Sequence, residues 1–135
     1  MATDVTRSAR LVRPGIALLA LVQLGTALWM VIAPHSFFRH VGPFGVYNGH
    51  YLGDAAAFQG GIGLALAAAL AWPALEGGAL AAALAVTSLH AINHWIDVDH
   101  AHAGTSAGPG DAISLTLLAL ATAWLLREAL RRPGR

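Results

Sequence analysis

At 135 residues the chain has room for one domain, and a composition of 56% hydrophobic with 11% charged residues is far from that of a soluble domain, where about a quarter of residues are charged. Cysteine is absent, which excludes disulfides, thiolate metal sites and cysteine nucleophiles. The formal net charge of +1 is uninformative as a total, but the placement of the charges is not, and the bilayer is the expected solvent.

The chain opens with a polar leader, residues 1–13, carrying Arg7, Arg10 and Arg13, and turns apolar at Pro14. The uncharged run from Ile16 to Ala33 is long enough to cross a hydrocarbon core of ~30 Å at ~1.5 Å per residue, so a first helix is predicted over 14–33. It exceeds the ~7–15 residues of a signal-peptide core, and no small-x-small cleavage site follows it. Pro34 ends the helix, and the aromatic, Gly- and Pro-containing stretch from His35 to Gly45 reads as an interfacial loop along the membrane surface.

A second helix is predicted over 48–72 with Asp54 as its only charge. Gly53, Ala57, Gly61, Ala65 and Ala69 recur every four residues along it, a small-residue stripe suited to close helix packing. Pro73 and the short turn through Glu76, Gly77 and Gly78 return the chain as a third helix over 78–97, so helices two and three are expected to form an antiparallel hairpin. A loop of about fifteen residues rich in Gly, Ser, His and Asp follows, with Asp111 as N-cap of a fourth helix over 111–130, in which Arg127 snorkels to the interface. Residues 131–135 form a basic tail. The expected fold is all-α, a single domain spanning 1–135 and built as a four-transmembrane-helix antiparallel bundle.

Topology follows from the arginines, because short cytoplasmic segments carry the excess of positive residues. Arg7, Arg10, Arg13, Arg127, Arg131, Arg132 and Arg135 flank the two termini, and Arg39 alone lies elsewhere. Both termini are therefore expected in the cytoplasm of a multi-pass plasma-membrane protein. Trp29 and Trp95 then fall near one interface, with Trp72 and Trp124 near the other. Every histidine falls on the non-cytoplasmic side: His35 and His40 in the first outer loop, His50 at the start of helix two, His90 and His94 in helix three, and His100 and His102 in the second outer loop.

Within that set, His90, His94 and Asp97 stand at i, i+4 and i+7 on one stripe, and His50 and Asp54 form an i, i+4 pair, since residues three or four apart share a helix face. Ionisable groups at membrane depth are costly and are usually paired, solvated or functional. Three readings follow. The residues cap the bundle by bonding one another and water, in a structural or accessory subunit of a larger complex or a homo-oligomer. Alternatively His50, Asp54, His90, His94 and Asp97 bind a transition metal, for which imidazole and carboxylate without thiolate suit zinc, copper or iron; in a hydrolytic version Asp54 or Asp97 serves as base to a metal-bound water. Thirdly, His50 and His94 are axial ligands of a b-type haem between facing helices. Asp99, His100 and His102 form at most a lid or a loose metal collector. Gln23, Gln59, Thr87, Ser88 and Asn93 are expected to make interhelical hydrogen bonds, with Asn93 placed to orient His94. No phosphate loop or nucleophile elbow is present, and nothing suggests nucleic-acid binding.

The basic leader, the four spans, the His-x-x-x-Asp of His50 and Asp54 and the His-x-x-x-His of His90 and His94 resemble small four-helix membrane proteins of actinobacteria, loosely similar to the DoxX-like group. The resemblance covers Pro14 to about Arg127. It implies an integral membrane bundle with a link to membrane redox modules; without cysteine, that role would not be thiol-based.

Overall fold

A computed structural model describes residues 2–43, 45–98 and 108–132 of the chain, with side chains from residue 10 onward. The expected loop residues Asp99, His100 and His102, and the end of the basic tail, lie outside the described residues. The described chain is helical: α1 (Ala2–Ile32), α2 (Pro34–His40), α3 (Gly49–Ala71), a 3-10 turn (Pro73–Leu75), α4 (Glu76–Ile96) and α5 (Pro109–Leu130). Four of these, over Arg10–Ile32, Gly49–Ala71, Pro73–Ile96 and Pro109–Leu130, are long and apolar enough to cross a membrane. Leu21, Ile32, Phe58, Leu89 and Ile96 are each more than 65% exposed, a surface that needs lipid around it.

The leader expected before Pro14 is instead continuous with α1, and Pro14 lies inside the helix. Proline there removes one backbone hydrogen bond, but Val12 and Ile16, one turn apart on either side of it, are both fully buried and hold the turn in the bundle. The expected surface loop is also partly helical. Pro34 ends α1 and takes the first turn of α2, where a proline lacking an N–H is tolerated. Phe37 and Phe38 of α2 then pack with Tyr47 against Met30 and Leu52. The return into α3 passes through Gly45 at φ +66°, a left-handed conformation that suits glycine, and Asn48 caps α3 by accepting the Tyr51 N–H at 3.1 Å.

The helix partners differ from a simple hairpin of α3 on α4. The closest packing is of α3 along α1 and of α5 along α4, and α3 meets α4 less extensively. Glycine decides the first contact: a Cβ on Gly63 would come within 2.7 Å of Leu24 Cγ and 3.0 Å of its backbone nitrogen. The small-residue stripe takes part over only half its length: Ala69 is in the shared core and Ala65 packs against it, whereas Gly53, Ala57 and Gly61 are exposed, and a Cβ on Gly53 or Gly61 would meet nothing within 4 Å. The buried face of α3 is Leu52, Ala56, Gly63, Leu66 and Ala69.

One hydrophobic cluster joins all four long helices through Val12, Ile16, Leu66, Leu80 and Leu125. At the same end Glu76, fully buried, accepts from Arg13 of α1 at 3.4 Å and from Arg132 just beyond α5 at 3.2 Å. Arg13 also donates to the Leu70 carbonyl of α3 at 2.6 Å. Glu76 opens α4, so the partial positive charge of that helix N-terminus adds to the two guanidinium groups. Residues 13 and 132 thus lie at one end of the bundle, as four antiparallel spans require, and His35, His40, His50, His90 and His94 lie at the other.

Candidate functional site

At the histidine end the structure forms two imidazole-bearing pairs. On α3, His50 Nε2 stands 3.6 Å from Asp54 Oδ2, with the side chains 90% and 60% exposed. On α4, His90 Nε2 and His94 Nε2 are 3.1 Å apart and share one N–H···N hydrogen bond, their ring planes tilted by 57°. Both pairs follow from helical spacing, which places residues four apart over one another.

The two pairs do not combine. Among the described residues no three His, Asp or Glu side chains gather closely enough to hold a metal ion, so the expected five-residue site of His50, Asp54, His90, His94 and Asp97 is not formed. The reason is the rotation of α3. Its buried residues Leu52 and Ala56 face the α1 side, and at 100° per residue His50 and Asp54 lie about half a turn round the helix from them, on the outward face that also carries Gly53 and Gly61. A base at Asp54 and a haem ligand at His50 would start from that outward face.

The α4 pair is placed differently. Glu76, Leu80, Ala83 and Thr87 are buried on one stripe of α4, and the same alternation of three and four residues continues through His90, His94 and Asp97. The histidines thus extend the stripe that meets the rest of the bundle. His90 is nonetheless exposed, and His94 and Asp97 are partly buried. The neighbouring α4–α5 contact is fixed by Trp95 Nε1 donating to Thr116 Oγ1 at 3.0 Å.

Asp111 is not the N-cap of the fourth helix. Gly108 holds that position, and Asp111 lies in the first turn. Pro109, directly after Gly108, was the signal, because proline favours the first helical position and so puts Asp111 at the third. Glu76, placed by sequence in a turn, is the buried centre of the opposite end; nothing local marks it, because its partners are 63 and 56 residues away. Thr87 donates to Ala83 O of its own helix at 2.8 Å rather than across helices, and Asn93 is exposed.

The remaining described histidines, His35 and His40, lie on α2. His35 stacks on Tyr47 with ring centroids 4.0 Å apart, and His40 Nδ1 lies 2.8 Å from Ser36 O. Both are accounted for by local structure.

Fold and site together define a small helical membrane protein with four spans, an arginine-rich end closed by a buried glutamate and a histidine-bearing end. The chain matches no family, no curated protein and no solved structure.

Proposed function

We propose that this is a multi-pass plasma-membrane protein that holds a transition metal ion on His90 and His94, with both termini in the cytoplasm and the pair facing outward. The observation that carries the reading is the 3.1 Å separation of the two Nε2 atoms. An ion at ~2.0–2.1 Å from each nitrogen would subtend roughly 95–102° between them, which lies between the octahedral and tetrahedral angles. A small turn of each ring would aim both lone pairs at one ion in place of the shared proton.

Two imidazoles with no thiolate suit zinc, copper or iron, and two protein ligands leave the other positions to water or to an incoming ligand. Asp111, in the first turn of the neighbouring α5, would supply a carboxylate that offsets part of the ion's charge. Such a hold is exchangeable and favours metal handling over a fixed catalytic centre. A redox-active copper or iron on the pair is also compatible with the membrane redox setting that the DoxX-like resemblance implies. The cytoplasmic placement of the termini is supported by the arginines at that end.

The test is elemental analysis of the protein purified in detergent after exposure to zinc and removal of free ion. The expected result is one zinc per chain, lost in the His90→Ala/His94→Ala variant. Full occupancy in that variant would reject the pair as ligands. An absorption spectrum of the protein as purified checks the haem alternative directly, since a Soret band would favour it.

A further inference from the structure

The cluster shared by all four long helices reaches only to Ala20 on α1, Ile62 on α3, Ala83 on α4 and Leu118 on α5, from the arginine end to about the middle of the bundle. The second cluster, at the histidine end, draws on α1, α2, α3 and the loop between α2 and α3, with nothing from α4 or α5 among the described residues. There α4 and α5 are tied to each other by Trp95 donating to Thr116. The molecule is thus two leaves, α1–α3 and α4–α5, sharing a core at one end.

The inward stripe of α4 reports the same division. Its residues are buried at Glu76, Leu80, Ala83 and Thr87, yet His90, the next on the stripe, is exposed. His94 and Asp97, further along, are only partly buried, so the stripe is less covered beyond Thr87 than within the shared core. Glu76 bolts the other end, because Arg13 comes from one leaf and Arg132 from the other, and the 3-10 turn Pro73–Leu75 is the covalent link beside it.

We propose that the bundle is a two-leaf hinge pivoting on Glu76, and that the separation of the leaves at the histidine end sets access to the His90–His94 pair. Access to the pair rests on the metal reading above. The hinge does not, because it is read from which helices share each apolar cluster. Rigid elements that turn about a few fixed contacts are a common form of domain motion, and here the fixed contacts are the ion triad and the core around it.

The native chain has no cysteine, so spin labels can be placed in pairs on the full-length protein in lipid nanodiscs and measured by double electron–electron resonance. Labels at Tyr51 and Ile96, exposed by 71% and 69%, report the histidine end across the leaves. Labels at Leu11 and Leu130, exposed by 53% and 71%, report the arginine end. The expected distance distribution is about twofold or more broader at the histidine end, and equal widths at the two ends would overturn the hinge. Glu76→Gln should broaden the Leu11–Leu130 distribution, with Arg132→Gln measured instead if the first variant does not assemble. An arginine-end distribution unchanged by loss of the ion pair would overturn the pivot. Zinc stoichiometry, measured separately, reports on the metal reading alone.

Discussion

Replacing Glu76 with Gln tests how far one buried carboxylate holds the bundle together. Glu76 is fully buried, Arg132 is 19% exposed and Arg13 is 48% exposed. A charge-assisted hydrogen bond contributes about 1.5–3 kcal/mol. The Arg132 contact falls in that range, while the Arg13 contact is discounted to about 1 kcal/mol or less, because half its side chain is in solvent. Glutamine keeps the shape and one acceptor, so part of each contact survives. The variant also leaves Arg132 short of its carboxylate, and removing one partner of a buried pair costs more than the pair itself contributes. The expected destabilisation is about 2–4 kcal/mol. With an unfolding entropy of about 2.1 cal/mol/K per residue, that lowers the melting temperature by about 7–14 °C. Thermal unfolding in detergent, followed by circular dichroism, measures it. A shift within about 2 °C of zero would refute the assignment of Glu76 as the tie between α1, α4 and the end of α5.

Three further outcomes follow from named contacts. Gly63→Ala should destabilise by about 1–3 kcal/mol, because the new Cβ meets Leu24 at 2.7 Å and overpacking is not relieved against a backbone atom; Gly61→Ala, with nothing within 4 Å, should be neutral or slightly stabilising, and the two melting temperatures decide. Trp95→Phe removes the hydrogen bond to Thr116 and should cost about 0.5–1.5 kcal/mol in the same thermal assay. His50→Ala with Asp54→Ala removes a pair on the outward face of α3 and should leave bound zinc unchanged, which elemental analysis would show.

The sequence was most legible where one physical requirement acts along a single segment. The need to cross ~30 Å of hydrocarbon marks α3 and α5 to within a few residues of their observed bounds, and the arginine distribution separates the two ends. Contacts between segments were less legible. The small-residue stripe from Gly53 to Ala69 satisfies the spacing rule for helix packing, and Ala65 and Ala69 do reach the core, yet the turn of α3 that buries Leu52, Ala56 and Gly63 points Gly53, Ala57 and Gly61 outward. For the same reason, correct spacing within His50–Asp54 and within His90–His94 gives two pairs and no common centre: periodicity fixes which residues share a face and leaves open which face meets which helix. Glu76 shows a different limit. Its burial depends on two arginines far away in the chain, so no local pattern distinguishes it from a solvated turn residue.

The functional reading rests on the pair of imidazoles at the open end of α4, and it is tested most directly by the zinc content of His90→Ala/His94→Ala beside that of the unmodified protein. One zinc per chain in the unmodified protein and none in the variant is the predicted result. Equal zinc in the two, or none in either, would contradict it.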